Sequence, residues 1–362
     1  KEQNPPTSPR KCVEFRSEFP LCPRRHTRLV EMAEISSATP GRLASLDQFR
    51  GYTMFGMLLV NFLGGYEISP RIVKHSHDYC SYADTIMPQF LFAAGFALRL
   101  SVSRRIDRGG GMPWGRIVRR ILGLALLAIV WYSICGWPGI AQRWRSETFA
   151  TFLALQLKRS WFQTLLHIAA TSLWIVPVIT ASASTRVVFA ASSGLLHLGL
   201  SWWFNFLWVN TSPKGIDGGP LGFLSWSIPA ICGTLAYDLV RSGSVTATRQ
   251  LVLSGLSLMS AAWLLSNLTV LYNVPPSAAT LDGTVAPVSR LAADPVVPSI
   301  ERVRHWDGSM VEPPFVPPPS AEQRQWNYWM MSQRCGSLTY VTFAAGWSLV
   351  VYAGFRWITD GL

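Results

Sequence analysis

Cys335-Gly336-Ser337-Leu338-Thr339-Tyr340-Val341-Thr342-Phe343-Ala344-Ala345-Gly346-Trp347-Ser348-Leu349-Val350-Val351-Tyr352-Ala353-Gly354-Phe355 contains no Asp, Glu, Lys or Arg. A helix of about 20 such residues, rising about 1.5 Å per residue, reaches across the ~30 Å hydrocarbon core of a bilayer. Five other runs share this property: Ile121–Gln142, Ser160–Thr185, Val187–Pro213, Gly218–Tyr237 and Gln250–Asn273. In hydrocarbon each backbone amide must find its partner within the segment, so repeated runs of this kind predict helices. The chain reads as all-α, a polytopic transmembrane helical bundle.

Composition points the same way. Of 362 residues, 49% are apolar and only 14% are charged, against about 25% charged in an ordinary soluble domain. Mean hydropathy is a modest +0.23 because two polar segments, roughly 1–46 and 274–334, dilute it. The net charge of +12 would raise nucleic-acid binding in a soluble chain. Here the basic residues flank apolar runs, as the orientation rule for membrane proteins expects, and no nucleic-acid partner is predicted. The first 40 residues hold no apolar stretch of the secretory-signal kind. Cys12, Cys22, Cys80, Cys135, Cys232 and Cys335 form no Cys-x-x-Cys pair, which argues against a disulfide framework or a zinc site.

Eight spans are expected, at about 48–66, 83–103, 117–137, 162–182, 187–209, 219–240, 250–271 and 337–358. The segment 104–120 carries six arginines against the single acid Asp107, whereas 66–82 balances Arg71 and Lys74 against Glu67 and Asp78. The basic loop is therefore assigned to the cytoplasm, and 66–82, 138–160, 210–218 and 272–336 to the outer or luminal side. Arg143, Arg145, Lys158 and Arg159 dissent from this orientation. The organisation is a polar N-terminal segment (1–41), a membrane core (42–272), a proline-rich extramembrane insertion (273–336) and a last transmembrane helix (337–362). Proline bars a helix through most of the insertion, which is read as an ordered loop on the membrane or, less plainly, as a lid.

Ionisable and strongly polar groups at membrane depth are expensive, so they are the first functional candidates. The densest group is Val60-Asn61-Phe62-Leu63-Gly64-Gly65, Lys74-His75-Ser76-His77-Asp78 and Ala83-Asp84-Thr85-Ile86-Met87-Pro88, which the expected topology gathers at one face. His75 can take a proton near neutral pH, Asp84 can orient it, and Asn61 can donate to a developing oxyanion. A polar loop between two spans is more often simply solvated. At the opposite face, Asp47 and Arg50 are three residues apart and can pair on one side of a helix, or Arg50 can offer its planar fork to a phosphate. His167, His197 and Asn205 read as packing residues. Cys80 and Cys335 both fall on the outer side, where a disulfide could join them, although two unrelated thiols is the plainer reading.

Several stretches resemble the heparan-alpha-glucosaminide N-acetyltransferase family: Arg42-Leu43-Ala44-Ser45-Leu46-Asp47-Gln48-Phe49-Arg50-Gly51, then Val60-Asn61, Gly64-Gly65, Lys74-His75, Ala83-Asp84 and Met87-Pro88-Gln89-Phe90. Gly219-Pro220-Leu221-Gly222-Phe223-Leu224-Ser225-Trp226-Ser227-Ile228-Pro229-Ala230-Ile231 and Leu338–Trp347 are also similar. The family usually continues for several spans beyond the point where this chain stops, and its lysosomal members are more apolar after the His that corresponds to His75. The resemblance implies a transmembrane acetyltransferase that takes acetyl from cytosolic acetyl-CoA and passes it to an amino sugar or related saccharide on the outer side. By motif His75 is the catalytic residue and Asn61 matches the family's Asn. Arg50 and Asp47 are the expected contacts of the acetyl-CoA cosubstrate, with Asp84 orienting His75. The expected location is an integral, multi-pass one, in the plasma or inner membrane if the chain is bacterial. Membrane lipid and a saccharide are the expected partners, and a homo-oligomer is left open. A solute transporter and a catalytically inactive membrane relative are the alternatives.

Overall fold

The computed structural model describes residues 43–77, 79–268, 295–297 and 326–360. The N-terminal segment and most of the proline-rich insertion, with Asp78, Cys12 and Cys22, lie outside the described residues. All regular elements among the described residues are helical: α1 (Ala44–Gly64), α2 (Tyr82–Asp107), α3 (Trp114–Cys135), α4 (Trp137–Ser146), α5 (Phe149–Ser160), α6 (Thr164–Val178), α7 (Ala183–Asn210), α8 (Gly219–Arg241), α9 (Ala247–Ser266) and α10 (Leu338–Asp360).

Each of the eight expected spans coincides largely with a helix, but fewer pass as membrane crossings. Among the described residues α2, α3, α7, α8 and α10 are long and apolar enough, and α5 with α6 makes a sixth if that pair is one bent span. The count by length and composition is therefore five to six. Helix α1 is 21 residues long but carries Asp47, Gln48, Arg50 and Asn61. Helix α9 is 20 residues long but carries Arg249, Gln250 and several serines. The expected fourth span coincides with α6, and a 92° bend just before it separates α6 from α5. The outer loop expected at 138–160 is itself helical, forming α4 and α5, because Trp137, Ile140 and Phe152 give it an apolar face.

Helix α2 lies against α8, and α9 against α10, as the two most extensive packings. Both depend on glycine. A Cβ on Gly95 would overlap the Ala230 carbonyl, and one on Gly233 would overlap that of Phe92. Gly255 and Gly346 face each other in the same way between α9 and α10. Without a water-driven hydrophobic effect between helices, such close approach supplies the dispersion contacts that hold a membrane bundle together. The core around α2, α8 and α10 is filled by Met87, Leu91, Trp226, Tyr340 and Phe343, all buried. Farther along α2, Arg99 and the buried Arg186 of α7 both pair with Asp238 of α8, tying three helices together.

The segments assigned to the outer side do come together at one end. Asp217 meets Gln333, the Gly218 amide donates to the Arg334 carbonyl at 2.8 Å, and Arg159 donates to the Lys214 carbonyl at 2.7 Å. Cys80 and Cys335 also lie in these segments but are both free and buried. The suggested disulfide is absent: Cys80 faces the Ser81 carbonyl, while Cys335 accepts from the Asn210 side chain at 3.1 Å.

Candidate functional site

Ser81 caps the N-terminus of α2 and makes a reciprocal capping box with Asp84. Its hydroxyl accepts from the Asp84 amide, and its own amide donates back to Asp84 Oδ2 at 3.0 Å. This pattern satisfies two orphan donors at the helix start and fixes the carboxylate. Asp84 also receives the Ser81 hydroxyl at 2.8 Å and the Ser76 amide at 3.1 Å. Its remaining partner is the His75 Nδ1, 2.9 Å from Oδ1. The carboxylate is fully buried, and this set of donors replaces the water it has lost.

An ionised carboxylate can only accept, so the proton of a neutral His75 sits on Nδ1 and the lone pair on Nε2. The side chain is 44% exposed, so an incoming molecule can reach part of the ring. The surrounding protein crowds the ring and opposes its protonation, but the bond to Asp84 and its charge outweigh this, with Asp217 and Gln333 adding to the effect. The net result is a His75 pKa above its ordinary 6.5. His77 behaves oppositely: crowding, then the charges of Arg334, His75, Lys214 and Arg159, push it down to about 3. It stays neutral at physiological pH and is too weak a base to compete with His75.

Two residues of this site were not among the sequence candidates. Asp217 is buried in a backbone turn of positive φ, 54° at Asp217 followed by 82° at Gly218 and 63° at Gly219. Gln333 donates to its Oδ1 at 3.1 Å, and Trp226 Nε1 donates to its carbonyl at 2.8 Å. Burial raises the Asp217 pKa to about 7, against the lowering influence of His75 and Gln333. The sequence signal was the Asp217-Gly218-Gly219 triplet, a pattern that permits left-handed backbone.

Asn61 is exposed near the end of α1, and no hydrogen bond joins it to His75 among the described residues. At the other end, Arg50 and Asp47 form an exposed pair at 4.0 Å, and Arg50 lies close enough to Arg120 for their charges to interact. A cavity of about 510 Å³ is lined by Arg104, Arg105, Arg108 and Arg116 together with Ser101 and Gly110. A narrower crevice shares Ser101 and Arg116 with it and continues between Leu98, Ile121, Leu124 and Ser172. No cluster of His, Cys, Asp and Glu suited to a metal occurs among the described residues.

No family model matches the chain. Among curated proteins it is similar to human heparan-alpha-glucosaminide N-acetyltransferase, with 31% identity over 99 residues. That alignment spans 25% of this chain and 14% of the human protein. The relationship is distant and partial, and it is compatible with a transferase built on membrane-crossing helices.

Proposed function

We propose that the protein is a transmembrane acyltransferase that moves acetyl from acetyl-CoA to the amine of a saccharide, with His75 as its general base. The observation that carries this reading is the bond between His75 Nδ1 and the buried Asp84, which leaves the lone pair on Nε2 of a ring that is 44% exposed. The partial likeness to a named N-acetyltransferase supports the same reaction class.

His75 takes the proton of the acceptor amine as the nitrogen attacks the thioester carbonyl. The C–S bond then breaks, and the proton held on the ring is available to the departing thiolate. Asp84 stabilises the imidazolium in between and keeps the ring from turning. Asn61 remains the candidate donor to the tetrahedral oxygen, which would require movement of the loop after α1.

The arginine-lined cavity suits the phosphates of CoA, since guanidinium groups bind phosphate oxygens bidentately. Arg50 adds charge at the same end. The crevice that shares Ser101 and Arg116 with it follows α3 for about two turns to Leu124, with Arg120 also on its wall, and is the candidate path for the pantetheine arm. Asp84 and Arg104 are 20 residues apart on α2, about 30 Å along its axis, so the acyl group must travel through the bundle between them.

The test is acyl transfer by the purified protein in sealed vesicles, with labelled acetyl-CoA on one side and a panel of amino sugars on the other. A labelled acetyl-sugar that depends on His75 supports the proposal. Solute counterflow without acyl-CoA, and no acetylated product, refutes it.

A further inference from the structure

We propose that the last turns of α7 and the end of α5 form a binding site for one anionic phospholipid. An acyl chain enters the apolar groove between Phe204, Trp208, Pro220 and Leu221, and the phosphate sits on Lys158 and Arg159.

The groove has a volume of about 260 Å³, and all four residues that line it are apolar. Its two walls meet at Gly219, where a Cβ would stand 3.5 Å from the Trp208 indole. Trp208 also joins the groove to a cation, because the Lys158 ammonium lies 5.4 Å from the centroid of its ring. On the same helix Trp202 and Trp203 are 69% and 75% exposed. Exposed indoles near the end of an apolar helix mark the boundary between hydrocarbon and headgroups.

Lys158 carries the charge argument. It is buried, yet no carboxylate pairs with it among the described residues: its ammonium donates to the Thr211 carbonyl at 3.0 Å and to the Thr211 hydroxyl at 3.2 Å. Both partners are neutral, and a buried cation without a counter-charge is costly. Thr211 is exposed, so the ammonium ends at the protein's edge, and the exposed Arg159 follows Lys158 directly. These are two of the four basic residues that dissent from the charge rule for orientation, and a lipid phosphate accounts for their presence at this end.

Depth favours a lipid over a free anion. Thr211 is the first residue after α7, whereas Trp208 and Phe204 lie within the helix, about 5–10 Å deeper along its axis. Cations at the helix end with an apolar groove beneath them reproduce the order of phosphate and acyl chain in one leaflet.

The test is native mass spectrometry of the full chain in detergent, titrated with dioleoylphosphatidylglycerol or with dioleoylphosphatidylcholine, whose acyl chains are the same. One phosphatidylglycerol should bind about 5–25-fold more tightly than phosphatidylcholine, the effect of one to two cations. Lys158→Met and Arg159→Gln should each reduce that preference about fivefold, while Arg145→Gln, on α4, should leave it unchanged. Glycerol 3-phosphate, which has a phosphate and no chains, should not displace the lipid at equal concentration. Equal binding of the two lipids overturns the proposal, as does an equal loss of preference in Arg145→Gln. Displacement by glycerol 3-phosphate overturns it in favour of a simple anion site. If Lys158→Met does not fold, an unchanged preference in Arg159→Gln is enough to overturn it.

Discussion

The phenol of Tyr340 donates a hydrogen bond to the main-chain carbonyl of Asp84, joining residues 256 positions apart. The first turn of α2, which presents Asp84 to His75, is thereby tied to α10. Trp226 stacks edge-on against the same Tyr340, with ring centroids 5.6 Å apart, while its indole nitrogen holds the Asp217 carbonyl. One aromatic pair therefore supports both carboxylates.

Tyr340→Phe removes that bond and leaves a buried carbonyl without its donor, a loss of about 1–3 kcal/mol. Thermal unfolding in detergent should show a lower midpoint, and acetyl transfer should fall with it. A variant as stable and as active as the parent would mean that α10 does not hold Asp84 in place.

His75→Ala and Asp84→Ala separate chemistry from architecture. The first removes a half-exposed side chain and is expected to lower turnover at least about 10²-fold while changing the unfolding midpoint little. The second also removes the Asp84 half of the capping box and orphans the Ser76 and Ser81 donors, costing about 1–3 kcal/mol of stability as well as activity. The double variant should be barely less active than His75→Ala, because both act through one imidazole. Additive losses in turnover would contradict the pairing.

The pH dependence follows from the raised His75 pKa. As a base the ring works when neutral, so kcat/KM should rise with pH through an apparent pKa above 6.5. Stability runs the other way: the His75–Asp84 pair contributes fully below the unfolded pKa of about 6.5, and that contribution is lost as pH rises through the folded value. His75→Gln should flatten the stability profile over this window. A rate that falls with rising pH across the same range would instead assign the ring an acid's role.

The membrane class and His75 with Asp84 were legible in the sequence because both are local signals: uncharged runs of helix length, and a histidine nine residues before an acid at a helix start. Asp217 and Gln333 were not, since their meeting depends on the approach of two loops that sequence spacing does not encode. Asn61 is a different case. Its position near the end of α1 suggests a role beside His75, and it is exposed there without a hydrogen bond to His75 among the described residues. Of the eight expected crossings, five to six among the described residues pass on length and composition, since polar residues in α1 and α9 lower their apolar character.

The arginine-lined cavity makes the last prediction. If Arg104 and Arg116 hold phosphate groups, reversing the charge of either to Glu should raise the KM for acetyl-CoA while leaving kcat at saturation nearly unchanged, the signature of lost uniform binding. The parent's KM should also rise with ionic strength, since the Debye length shortens from about 10 Å at 0.1 M to about 3 Å at 1 M, and Arg116→Glu should blunt that dependence. Arg145→Glu, an exposed change on α4 away from this cavity, is the control for overall charge and should leave KM alone. Equal effects from Arg116→Glu and Arg145→Glu would show that net charge, not this cavity, governs acetyl-CoA binding.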